Sequence, residues 1–192
     1  MSRNIEQLVN KILYEAKVSS PPINAERIAE FHFGLDIDWT NFENNNAAAQ
    51  ISVSEKKIYM NESHADKFRA NCGLKNFTIA HEIGHWVLHR NLVGQHSPEI
   101  EREAEKFATY LLMPEKMIRE EFAAFNSDTL LDFFPADMKV SSLAEIFCVS
   151  YTAMRIRLSQ WELKLIYVDK DGKCYRSKEE FLERVAGQIK LF

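Results

Sequence analysis

The sequence predicts an α+β fold, mostly helical with a small sheet, followed by a small C-terminal helical and hairpin subdomain. Three observations carry that expectation. Apolar residues recur at helical spacing near the N-terminus and again over residues 97–114. Between these stretches, Leu35, Ile37 and Trp39 alternate with Asp36 and Asp38, the period of a half-buried strand. Near the middle lies FTIAHEIGHWVLH at residues 77–89, a helical pattern with an apolar arc on one side and three histidines on the other. With 192 residues, 46% of them hydrophobic, the chain can bury one good core plus an appendage. The expected division is residues 1–135 and residues 136–192.

Residues 4–17 form the first helix, with Ile5, Leu8, Val9, Ile12, Leu13 and Ala16 on its core face. Pro21 and Pro22 break the chain, and Asn24 caps a second helix that ends near Gly34. His32 is structural or on the surface. After the strand at 35–39 and an Asn run at 44–46, residues 50–53 and 58–60 bracket a polar turn and read as a β-hairpin. Residues 57–61 read as a strand with two possible roles, pairing with a substrate backbone or serving as an ordinary sheet member. Residues 62–72 form a helix closed by Gly73, and residues 91–98 a loop with a solvated His96. Ser97 caps the next helix, Pro98 occupies its first position and Pro114 stops it. A helix to about Phe125 and an aromatic linker, Leu130–Pro135, complete the larger part.

The chemistry is concentrated in His81, Glu82 and His85. Helix positions four apart are rotated by about 40° and separated by about 6 Å along the axis, so two imidazoles can converge on one Zn²⁺. Glu82 lies within reach of a water at such an ion, yet too far round to be a convenient ligand. Gly84 keeps bulk away from a substrate or the sheet. A catalytic zinc needs a third protein ligand and an open position. His89 sits about 12 Å along the axis from His81, too far to join, and is expected to orient the site by hydrogen bonding. The third ligand must come from elsewhere, and the 97–114 helix, whose apolar stripe is Ile100, Ala104, Phe107 and Leu111, offers one. Glu101 shares its flank with Ala108 and Leu112, whereas Glu103 shares its own with Lys106 and Tyr110. Glu101 is the expected ligand and Glu103 its rival. Glu105, one turn beyond Glu101, is placed to accept from a ligating histidine. His64 is a surface histidine or an oxyanion donor.

FTIAHEIGHWVLH followed by EREAEKFATYLLMP resembles the ImmA/IrrE family of zincin-class metallopeptidases, specifically over residues 77–114 and weakly to about residue 160. The resemblance implies a zincin-like fold and a gluzincin-like metallo-endopeptidase; reduced thiols and no expected signal peptide or membrane span make a cytoplasmic location the expectation. Its metal would be Zn²⁺, or another divalent ion such as Mn²⁺, on His81, His85 and Glu101, with Glu82 as catalytic base. It also implies a helix-turn-helix transcriptional repressor as protein substrate, cleaved under stress or in control of a mobile element. Glu105 stands where the family usually has Asn or Asp. The rival reading is a non-catalytic regulatory module that binds a repressor or DNA and keeps a structural metal site.

Bulk charge fits these readings. The net charge of −4 gives no general reason to bind nucleic acid or a membrane, although residues 140–192 carry nine Lys/Arg against seven Asp/Glu. Cys72, Cys148 and Cys174 are widely spaced and odd in number, as expected of reduced thiols. No signal peptide and no apolar run of membrane-spanning length is expected. Residues 141–158 have the rhythm of a helix-turn-helix, with Tyr151, Thr152, Arg155 and Arg157 on its second helix. Cys148 occupies a turn position that favours positive φ and usually Gly. Packing, repressor contact and DNA contact compete there, and DNA binding is not expected. Residues 164–168 and 173–176 read as a hairpin around Asp171 and Gly172, and Ser177–Glu180 as a capping box opening a last helix.

Overall fold

The computed structural model describes residues 2–43, 47–91, 97–127 and 135–189. The chain divides into two compact units, Met1–Pro114 and Glu115–Phe192. In the first, α1 (Ser2–Glu15) buries Ile5, Val9, Ile12 and Leu13, the stripe its spacing predicts. Asn24 accepts from the Arg27 N–H and opens α2 (Ala25–Arg27), which runs into a π-helical turn, Ile28–His32. Gly34, at φ 63°, ends the turn where a side chain would be strained. His32 lies 3.7 Å from Glu15 and edge-on to Phe33, a structural role.

Three strands follow: β1 (Asp36–Thr40), β2 (Ala49–Ser52) and β3 (Lys57–Asn61). Their order is β1-β3-β2, with β1 parallel and β2 antiparallel to β3. Cross-strand partners Ile37, Ile58 and Ile51, then Trp39, Met60 and Ala49, share one face. Ile58 and Met60 are fully buried there, while the Lys57–Asp38 ion pair at 2.6 Å lies on the other face. Because β3 is central and paired on both edges, it has no free edge for a substrate. That expectation is corrected: among the described residues, the edge strand that contacts the helix at 77–89 is β2.

A 3₁₀ turn, Glu62–His64, leads into α3 (Ala65–Ala70). The break before α4 (Cys72–His89) falls at Asn71 rather than Gly73. Asn71 is extended, and its side chain accepts from the Leu74 N–H, so Gly73 lies inside the first turn of α4. Asn76 ties α4 to the preceding chain by donating to the Ile23 carbonyl and accepting from the Ala25 N–H. The last helix of this unit, α5 (Pro98–Leu112), starts at the Ser97 cap and buries Ala104, Phe107 and Leu111 completely.

The second unit begins with α6 (Glu115–Ser127), earlier than the expected boundary after residue 135, because α6 packs with α7. Next come α7 (Ala136–Ile146), α8 (Tyr151–Ser159), a hairpin of β4 (Tyr167–Val168) and β5 (Cys174–Tyr175), and α9 (Lys178–Ile189). Cys148 adopts φ 51° in the α7–α8 turn, the left-handed conformation expected there. Gly172 turns the hairpin at φ 83°. The Ser177 hydroxyl accepts from the Glu180 N–H, and Glu180 reaches back to the Arg176 N–H. Val140, Leu143, Phe147, Met154 and Leu158 form the centre of this unit.

Together these elements make the α+β, zincin-like fold that the sequence predicts. Among the described residues, no helix is long and apolar enough to cross a membrane. The expectations for His96, Asn44–Asn46 and most of Leu130–Pro135 lie outside the described residues.

Candidate metal centre

The site is built where α5 crosses α4. A Cβ on Gly84 would stand 3.1 Å from the Cα and carbonyl oxygen of Ala104 and 3.3 Å from Phe107 Cβ. Gly84 is therefore needed for the approach of α5, not to clear a substrate or the sheet. That close crossing lets a carboxylate on α5 reach histidines on α4. His81 Nε2 lies 3.0 Å from His85 Nε2 and 3.2 Å from Glu101 Oε2, and His85 Nε2 lies 3.6 Å from the same oxygen.

The triangle passes a simple test of fit. Atoms held about 2.0–2.1 Å from one tetrahedral ion stand about 3.4 Å apart, within the observed spread. Two imidazole nitrogens and a carboxylate oxygen are a borderline-soft set of the kind zinc takes. The two histidines are mostly buried and Glu101 is half exposed, leaving one side open. Burial first, then the neighbouring His81, pushes His85 down to about 4, which keeps its lone pair free at neutral pH. Among the described residues, this is the one cluster of three His, Cys, Asp or Glu side chains spaced to hold a metal ion.

Glu82 lies next to the cluster and is 7% exposed. Burial pushes its carboxyl up to about 7, against a hydrogen bond from the Ile51 N–H and with a smaller push from the charge of Glu101. Ile51 belongs to β2. Ala48 and Asn61 form a hydrogen-bonded antiparallel pair, so residues 50 and 52 point their backbone groups at β3, and residues 49 and 51 point theirs outward. The edge strand thus runs beside the catalytic candidate with outward N–H and C=O groups. Nothing in the local sequence signals this, because it depends on register.

The remaining expectations separate cleanly. Glu103 does not enter the cluster; its Oε2 accepts from His89 Nε2 at 3.0 Å. The geometry favours Glu101, although not through burial, since the Glu101 side chain (43% exposed) is no more buried than that of Glu103 (38%). Direction decides, not depth. Glu105 is exposed, and no hydrogen bond joins it to His81 or His85, so its expected role is corrected to a solvated position. His64 ends the 3₁₀ turn with its ring tilted toward Phe68 at 6.1 Å. His89 does hydrogen-bond, as expected, but to Glu103 rather than to a ligating residue.

On α8, Arg157 is 1% exposed and donates to Gln160 Oε1 at 2.8 Å, while Arg155 donates to the Gly172 carbonyl at 2.9 Å. Tyr151 donates a hydrogen bond to Asp137. Burial, then that bond, pushes its phenol well above the ordinary range. No disulfide joins Cys72, Cys148 and Cys174.

Comparisons with known proteins agree with this architecture. The family model of the IrrE N-terminal-like peptidase domain matches residues 34–159, well over half of the chain. Among solved structures, a Mycobacterium tuberculosis transcriptional regulator is similar with a TM-score of 0.58 at 16% identity, over 89% of this chain and 54% of that one. At that identity the likeness shows the fold, and this chain spans about half of the other's length. No curated protein matches. On the family match over the helices that carry the cluster, the chain belongs to the ImmA/IrrE family of metallopeptidases.

Proposed function

We propose that this chain is a zinc-dependent endopeptidase that hydrolyses a peptide bond in a helix-turn-helix transcriptional repressor. The observation that carries the reading is the His81–His85–Glu101 triangle with the buried carboxyl of Glu82 beside it. His81, His85 and Glu101 would hold the ion. When bound, zinc acidifies water and polarises the scissile carbonyl. Glu82, with its carboxyl near 7, is matched to taking a proton from the attacking water and passing it to the leaving amine. The outward N–H and C=O of Ala49 and the outward C=O of Ile51, whose N–H is held by Glu82, orient an extended substrate as an added strand. This replaces β3 by β2 as the pairing edge.

The repressor as substrate is supported by the family resemblance, and the fold neighbour is itself described as a transcriptional regulator. Cysteines not joined in disulfides and the absence of a spanning helix among the described residues fit a cytoplasmic enzyme. A non-catalytic module with a structural metal has no use for a buried, proton-accepting carboxylate next to its ligands.

The test is Glu82→Gln, assayed for zinc content and for cleavage of a purified helix-turn-helix repressor that the native chain cuts. Zinc should stay bound, and cleavage should fall by at least about 10²–10⁴-fold, the scale of general-base catalysis. Undiminished cleavage by the zinc-loaded variant removes Glu82 from the mechanism.

A further inference from the structure

His89 and Glu103 lie outside the triangle, yet they join the same two helices. Glu101 and Glu103 are about 200° apart around α5 and so flank its contact with α4 on opposite sides. At Gly84 the two helices meet closely, with the Ala104 backbone 3.1 Å from where a Cβ would stand. The small residues set how near the helices come and the buried Phe107 and Leu111 hold α5 in the core, so what is left to set is the fine roll that aims each glutamate. A roll that brings one glutamate in carries the other out. Glu103, bonded to His89 at 3.0 Å, opposes a roll in one sense, and Glu101 at His81 and His85 opposes it in the other.

The environment of His89 sharpens this. Its side chain is 6% exposed, and Nε2 must be the donor because a carboxylate only accepts. Among the described residues Nδ1 then has no hydrogen-bond partner although it is buried, an arrangement that an apolar ring of similar size would avoid. Its ring also lies against His85, with centroids 5.4 Å apart. Stability alone does not favour a histidine here. We infer that His89 and Glu103 are positioning residues that fix the roll of α5 and thereby aim Glu101 at His81 and His85. This rests on the reading that those three residues hold zinc.

The experiment measures zinc affinity of the full chain against a chromophoric chelator, the visible spectrum of the Co²⁺-loaded form, and melting of the metal-free form. The variants are His89→Phe, His89→Gln, Glu103→Leu and the double His89→Phe/Glu103→Leu. Each apolar single variant should weaken zinc binding about 10- to 100-fold, the range for groups that orient ligands. The double variant should lose no more than either single one, because both remove the same bond. Metal-free His89→Phe should melt no lower than the native chain. His89→Gln, whose amide N–H can reach the same oxygen, should regain most of the affinity and the native Co²⁺ spectrum. Glu103 is exposed enough that Glu103→Leu tests the idea even if His89→Phe fails to fold. Native zinc affinity in Glu103→Leu, losses that add in the double variant, or a Gln variant no better than Phe would each overturn the positioning role. Should the native chain itself take up no zinc, the proposed function falls first; native binding with unaffected variants removes this inference alone.

Discussion

The α4–α5 pair and the α7–α8 pair use the same means, two short-linked helices with polar side chains near their contact, to opposite ends. In α4–α5, two imidazole nitrogens and a carboxylate oxygen face one another within 3.6 Å, an arrangement stable only with a cation or proton among them. In α7–α8, the polar groups are already matched: Tyr151 to Asp137, Arg155 to the Gly172 carbonyl, Arg157 to Gln160. Convergence without satisfaction marks a site. Convergence with satisfaction marks a fold.

The largest effect is expected at the α4–α5 pair. Glu101→Gln removes a charged oxygen from the triangle and should weaken zinc binding by more than about 100-fold, beyond the range for groups that only orient ligands. Glu103→Gln keeps an oxygen that can accept from His89 and should bind zinc nearly as the native chain does. Chelator competition reads both. The reverse order would make Glu103 the ligand and the crossing geometry misleading.

The next effect is smaller and concerns protons in the metal-free chain. The Glu82 carboxyl is raised from 4.5 to about 7, so the folded state binds more protons than the unfolded state between those values. Stability from this group therefore falls as pH rises through that window, by up to about 3 kcal/mol. His85 is lowered from 6.5 to about 4, so its contribution rises with pH over much of the same range. The two largely cancel in the native chain. Glu82→Gln removes one side of the balance, so its stability relative to native should grow by about 3 kcal/mol between pH 4.5 and pH 7.5. Denaturant melts of chelator-treated protein across that range provide the measurement. A difference that stays flat with pH would mean that Glu82 is ionised and solvated.

What could be read from the sequence follows the range of each interaction. His81, Glu82 and His85 lie within a turn of one helix, and helix geometry alone fixes their relation. The Ser97 cap, the Pro114 stop, the positive φ at Cys148 and the Gly172 turn are equally local. Glu101 was legible through its phase on α5, yet its partners were set by the Gly84–Ala104 crossing, which no local pattern announces. The pairing of His89 with Glu103 needs the same crossing. Strand order was out of reach as well: residues 57–61 have the pattern of a strand, but whether that strand is central or at an edge depends on β1, which pairs across an intervening strand. The unit boundary moved to Pro114 because α6 shares contacts with α7, a choice that helix periodicity does not encode.

The smallest expected effect is at the α7–α8 pair, and it concerns DNA. A helix-turn-helix that reads DNA presents cations on its second helix, and each phosphate contact adds about −0.9 to the log–log slope of affinity against salt. Here Arg157 is 1% exposed, and the guanidinium of Arg155 is held at the hairpin, with Nη1 2.6 Å from where a Gly172 Cβ would stand. The outward positions of α8 include Thr152 and Ile156, which carry no charge. Freeing either arginine would break a bond within its own unit. No sequence-specific DNA binding is therefore expected at physiological salt in an anisotropy assay on the chain's own promoter. Arg157→Ala should instead lower stability by about 2 kcal/mol, the scale of losing a buried charged hydrogen bond, and leave cleavage of a short unstructured peptide intact. Tight, steeply salt-dependent binding abolished by Arg155→Ala and Arg157→Ala together would show that these side chains leave their internal partners for phosphate, and the two helix pairs would then both be sites.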